Sequence, residues 1–173
     1  VTPARPETRG PKWREVVLNF NVIVVTTDLS DYSLRALPYA IGLAERFDAD
    51  LKVVSVNEPA LQVSDVAWVS PMVAATDDER AVEIKRALDA LITDQVPKNV
   101  RAESRVLFGN PVDAIVEYAR ETNADLIVSC THGRGGLSHV LMGSTAEALV
   151  RHSPCPVLTL KQPMPVGAVR KGA

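Results

Sequence analysis

Cys130-Thr-His-Gly-Arg-Gly-Gly-Leu-Ser-His-Val-Leu-Met-Gly-Ser-Thr145 is the stretch on which the reading of this chain turns. It follows an apolar, strand-like run over 125–129 and opens a helical segment, so its glycines sit where a parallel sheet can cradle an anion. Gly133 and Gly143 bracket nine residues, and Gly143 is followed by Ser144 and Thr145, which bring hydroxyls and backbone N–H groups to the start of the next helix. Phosphate is the guest that suits this chemistry. Glycine has no Cβ and tolerates φ > 0, which lets backbone donors converge on an oxygen-rich group. Ser144-Thr-Ala-Glu147 also has the capping-box pattern, so a helix is expected from Gly143-Ser144 to His152, with Ser144 as a cap that competes for the same N–H groups.

Working outward, the β-branched run 20–26 reads as a buried first strand ending in Thr27-Asp28. Ser30 is placed to cap a helix whose Leu34, Leu37, Ile41, Ala44 and Phe47 recur at helical spacing, with a bend or a loosened first turn expected at Pro38. A second strand is expected over 51–56. The connection 57–77 that follows is long enough for a lid or binding segment, with Trp68 packing it onto the domain. Ala81, Ile84, Leu88, Leu91 and Ile92 mark a second helix that closes before Pro97, and 101–107 is a third strand. Asn110-Pro111 starts a third helix with Asn as cap and Pro at the first helical position, burying Val112, Ile115, Val116 and Ala119. Strand four (125–129), the glycine loop, the fourth helix and a last strand over 157–160 complete the series.

Five strands alternating with four helices predict an α/β fold: one doubly wound, five-stranded parallel sheet of order 3-2-1-4-5, with helices on both faces. Ligands in such sheets bind beyond the carboxyl ends of the strands, where the order reverses. Strands one and four would bring Thr26, Thr27 and Asp28 together with Ser129 to Gly133 at one crevice. The expected organisation is a mobile tail over 1–19, a single domain over 20–161 and a second tail over 162–173.

The bulk numbers limit the partners. With 173 residues, 46% apolar and 23% charged, the chain can bury a sizeable single core. Nineteen Lys+Arg against twenty-one Asp+Glu give a net charge of -2, no broad field for a nucleic-acid backbone or an anionic bilayer, so neither is expected as a partner. No run of about 18 apolar residues occurs, and the expected compartment is the cytoplasm. Cys130 and Cys155, the two cysteines, are too few for a disulfide framework and are placed at opposite sheet edges.

The spaced glycines and their strand-helix context are specific enough to name a resemblance, which covers about Asn21 to Lys161. The chain resembles the universal stress proteins of the nucleotide-binding type, whose pattern is Gly-x2-Gly-x9-Gly-(Ser/Thr) after the fourth strand, with an Asp just past the first. Gly133, Gly143, Ser144 and Asp28 supply it, and 154–160 matches the family's last segment. The resemblance implies that Thr27 and Asp28 line a nucleoside pocket, that the Val56 backbone meets adenine and that Ser129 and Cys130 border the ribose. Gly133, Gly143, Ser144 and Thr145 would then hold the phosphates, with Arg134 and Mg²⁺ as counter-charge, and Asp28 either positions that cation or binds the ribose. The first glycine of the pattern falls on Cys130, whose Cβ and sulfur would crowd the sugar.

The implied function is an ATP-binding stress-response or signalling module, a homodimer joined through the final strand, with at most slow ATP hydrolysis. The alternatives are a nucleotide-independent dimeric adaptor and, more weakly, an enzyme related to adenine-nucleotide hydrolases. No Gly-Lys-(Ser/Thr) of a Walker A loop occurs, and no Gly-x-Gly-x-x-Gly follows the first strand. His132 and His139 are polar loop residues without a recognisable water-positioning partner, so no catalytic residue is assigned.

Overall fold

The structure is a computed structural model and describes residues 18–58, 76–131 and 143–161. Residues 1–17 of the expected N-terminal tail, the expected C-terminal tail, Trp68 with most of its connection, and 132–142 with His132, Gly133, Arg134 and His139 lie outside the described residues.

The strands are β1 (Val22–Thr26), β2 (Asp50–Asn57), β3 (Ala102–Phe108), β4 (Leu126–Cys130) and β5 (Val157–Leu160). All neighbouring pairs are parallel, and the order is β3-β2-β1-β4-β5, as the alternation predicts. Successive strand side chains point to opposite faces, yet Ile23, Val24 and Val25 are all at most 1% exposed, so both faces of β1 are covered. On one face Ile23, Val25, Leu51, Val53 and Val128 pack with Leu37, Ala40, Ile41 and Ala44 of α1 (Leu37–Phe47) and Leu88 of α2 (Asp77–Gln95). On the other, Val24, Val54 and Ile127 pack with Ile115, Val116 and Ala119 of α3 (Pro111–Glu121) and Leu149 of α4 (Ser144–His152). Each such side chain taken from water stabilises the fold by about 1.5–3 kcal/mol, which is why a short valine-rich strand holds the centre.

Local chemistry adjusts the element ends. β1 begins two residues later than the apolar run: Phe20 lies edge-on to Phe47 at 4.8 Å between ring centroids, and Asp125 Oδ2 accepts the N–H groups of Asn21 at 2.6 Å and Val22 at 3.0 Å. Asp125 is therefore a clamp at the foot of β1 rather than the first residue of β4. The loosened turn expected near Pro38 is a 3-10 turn, Ser33–Ala36, after which α1 starts with Pro38 in its first turn, where a missing N–H costs nothing. Ser30 caps that turn and not α1: its Oγ accepts from Ser33 N–H at 3.3 Å.

The expected capping box does not form where the sequence placed it. α4 has Gly143 as its N-cap and no side-chain cap, because Ser144 already lies inside the helix and cannot fold back on its own first turn. A full capping box forms instead at Thr76 and Glu79, at the head of α2, within what the sequence presented as connection.

Candidate functional site

β1 lies between β2 and β4, with Val25 opposite Val128, so the topological switch point falls between β1 and β4. The carboxyl end of β1 continues as Thr27-Asp28-Leu29-Ser30, and that of β4 as Thr131. These two ends are tied through the 3-10 turn, where Cys130 Sγ donates to the Ser33 carbonyl at 3.7 Å.

The β1 end is a turn built from hydroxyls. Thr27 Oγ1 accepts the Leu29 N–H at 2.9 Å, and Asp28 Oδ1 accepts the Ser30 N–H at 3.0 Å and its hydroxyl at 2.6 Å. Leu29 consequently sits at φ 63°, in the left-handed region that a leucine rarely adopts. Thr27 N–H donates back to the Val54 carbonyl at 2.9 Å, which holds the turn against β2. Ser33, which the sequence presented only as a helix position, is 6% exposed and lies 2.8 Å from the Thr27 hydroxyl.

The β4 end is tied to both β5 and α4. Leu160 O accepts Thr131 N–H at 3.1 Å and its hydroxyl at 3.3 Å, while Thr131 O accepts Gly143 N–H at 2.7 Å. Gly143 has φ −57° and ψ 149°, open to any residue, so conformational freedom is not why glycine stands there. Its need is space: a Cβ would lie 2.7 Å from the Thr131 carbonyl oxygen. Ser144 and Thr145 occupy the first turn of α4, and among the described residues no side chain caps that turn. Glu147, the acidic residue there, pairs with Arg151 at 2.8 Å.

Ser129 and Cys130 leave β4 on opposite faces. Ser129 is 5% exposed, with its hydroxyl on the Cys130 carbonyl at 3.3 Å, whereas the Cys130 sulfur packs toward the α1 core. Burial pushes the Cys130 thiol above its ordinary range, against the opposing pull of the Ala36 backbone and Arg35. Val56 packs on the α3 face of β2. One further polar residue escaped the sequence reading: buried Asn57 donates through Nδ2 to the Asp77 carbonyl at 2.8 Å, fixing the head of α2 at the carboxyl end of β2. Among the described residues no cluster of three or more His, Cys, Asp or Glu could hold a metal, and no helix is long and apolar enough to cross a membrane.

The site combines a helix start with no side-chain cap among the described residues, a close backbone approach and a hydroxyl-rich strand end at a switch point, and known proteins with this sheet are similar to it in sequence. The model of the universal stress protein family matches residues 19–161. A universal stress protein of Methanocaldococcus jannaschii is 33% identical over 149 residues, covering 83% of this chain and 84% of that protein. Among solved structures, UspA of Lactobacillus plantarum superposes with a TM-score of 0.67 at 26% identity, over 84% of this chain and 100% of that one. A universal stress protein solved in complex with cAMP has a TM-score of 0.57 at 29% identity, over 83% and 98%. With matched residues running from 19 to 161, this chain belongs to the universal stress protein family.

Proposed function

We propose that this chain is an adenine-nucleotide-binding module of stress response or signalling, with ATP as its ligand and slow or no turnover. The observation that carries the reading is the start of α4, which opens beside the end of β4 with no side-chain cap among the described residues, at the switch point where such sheets take ligands. The N–H groups and hydroxyls of Ser144 and Thr145 serve the phosphates. Gly143 serves by proximity rather than as a donor, since its own N–H is engaged by Thr131. Thr27 and Asp28 take the nucleoside, the Val56 backbone meets the base, and Ser129 with the Cys130 backbone borders the ribose. In this reading the sulfur, turned toward Ser33, leaves the sugar clear. Gly133 and Arg134 complete the phosphate loop by the family pattern, and Mg²⁺ enters with the nucleotide as counter-charge. A relative solved with cAMP supports an adenine nucleotide as the ligand class. Two free thiols suit a reducing compartment such as the cytoplasm.

The assembly we propose is a homodimer through β5. This strand is a sheet edge, all four of its residues are half-buried, and none is charged, so its ladder is open to a two-fold copy. That edge equally serves a nucleotide-independent adaptor, and calorimetry separates the two: titrated ATP binds in the first case and gives no binding heat in the second. Light scattering should find a dimer at micromolar concentration, weakened by Leu158→Pro. Phosphate release with Mg²⁺ should stay far below the enzyme median of about 10 s⁻¹.

A further inference from the structure

We infer that Ser33 is the positioning residue of this site, holding the Thr27 hydroxyl and the Asp28 backbone where the nucleoside meets them. The inference rests on the nucleotide reading above and adds to it a residue with no direct ligand contact.

A hydroxyl has one hydrogen to give, and that limit orders the network. Ser33 Oγ donates to the Ser30 carbonyl at 3.0 Å. With that hydrogen on the Ser30 carbonyl, the 2.8 Å pair has the Thr27 hydroxyl donating to Ser33 Oγ, which also accepts the Asp28 N–H at 3.2 Å. Both acceptor sites of Ser33 are then filled by the two residues assigned to the nucleoside. Ser30 gives its own hydrogen to Asp28 Oδ1 at 2.6 Å, so its oxygen is left to accept the Ser33 N–H at 3.3 Å. Each of these bonds closes on Ser33 or on a partner of Ser33.

That closure matters because the turn is strained. Leu29 at φ 63° returns to ordinary backbone space unless its neighbours are held. Ser33 can hold them because it is 6% exposed, away from competing water, and because its carbonyl is pinned to β4 by Cys130 Sγ at 3.7 Å. Removing the hydroxyl leaves the Thr27 O–H and the Asp28 N–H without this partner at once, and the Asp28 carboxylate moves with the backbone that carries it.

The test is Ser33→Ala, read in three ways on the full chain. Amide hydrogen exchange at Asp28 and Leu29 should accelerate about tenfold or more while the amides of β1 keep their protection. Affinities for ATP and for adenosine should fall by the same factor, roughly tenfold, because the disturbance is at the nucleoside end. In a double-mutant cycle, Ser33→Ala should cost less ATP affinity in the Asp28→Ala background than in the parent, since part of its effect passes through Asp28. Thr27→Val, which removes the other hydroxyl of the 2.8 Å pair, carries the hydrogen-exchange arm of the test where Ser33→Ala does not fold. Unchanged exchange, unchanged affinity in Ser33→Ala, or effects that multiply in the cycle each overturn the positioning role. A parent protein that binds no ATP overturns the nucleotide reading and the role together, so the two failures are distinguishable.

Discussion

Among the described residues, helices α2 and α3 engage first-turn N–H groups with side chains of their own, whereas α4, which starts at Gly143, shows no such cap. At α2 the Thr76 hydroxyl accepts from Glu79 N–H at 3.2 Å and the Glu79 carboxylate returns to Thr76 N–H at 2.8 Å. At α3 the Asn110 side chain accepts from Val112 at 2.9 Å and Asp113 at 3.3 Å. Such a cap stabilises a helix by about 1 kcal/mol, and α4 forgoes it at the strand end nearest the switch point. The charges follow the same division. α2 opens with Asp77, Asp78 and Glu79, which complement its dipole and repel an anion, while the one acid in the first turn of α4 is drawn away by Arg151. Among the described residues, two helix starts are closed by their own side chains, and at the start of α4 no such cap is seen.

The most severe way to break this contrast is Gly143→Val. Any Cβ there meets the Thr131 carbonyl at 2.7 Å, so the head of α4 must move off the end of β4. ATP affinity should fall on the order of 100-fold or more, as several charge-assisted hydrogen bonds are misplaced together. Calorimetric titration measures the loss, and circular dichroism should show the sheet retained. A folded variant that binds ATP as the parent does removes α4 from the phosphate site.

Ser144→Pro is the finer cut. Proline is tolerated at the first helical position, and the extended Gly143 before it already has the backbone that proline requires. The Ser144 N–H and hydroxyl both disappear while the helix stays. We expect ATP affinity to fall roughly ten- to 100-fold with the melting temperature unchanged or raised, and equal binding by the variant would mean that this N–H faces no phosphate. Asp77→Pro, the matching change at the head of α2, should leave ATP affinity unaltered.

The smallest effects belong to the capped starts. Asn110→Ala should lower stability by about 1 kcal/mol and Thr76→Ala, at an exposed cap, by about 0.5 kcal/mol, both with ATP binding intact. Denaturant melts read the first quantity and calorimetry the second. A cap variant that loses ATP affinity would show that the helix starts are not divided in role.

Much of the fold was legible because its signals are short-range. The valines of β1, the apolar spacing of α1 to α4 and the Asn110-Pro111 start each depend on residues within a turn or a strand of one another, and their elements stand where the spacing put them. The strand ends at the crevice were legible by the same route, since element order alone brings the ends of β1 and β4 together. The misreadings were contests between similar local patterns. Ser144-Thr-Ala-Glu147 and Thr76-Asp-Asp-Glu79 both spell a capping box, and which one forms depends on where the helix begins. For α4 that point is set by Gly143 N–H meeting the Thr131 carbonyl, a partner outside the motif.

Sequence alone therefore determined the parallel α/β series, the order 3-2-1-4-5, the switch point and the Gly143-Ser144-Thr145 head of α4, because periodicity and motif spacing are written along the chain. Only the tertiary structure decided why Gly143 must be glycine, which way the Cys130 sulfur turns and that Ser33 closes the Thr27–Asp28 turn. Asp125 gripping Asn21 and Val22, and Cys130 resting on Ser33, join residues 104, 103 and 97 positions apart. Hydrogen-bond partners at that separation are chosen by where the packed sheet sets each backbone down, and a local pattern holds no record of the far residue it will meet.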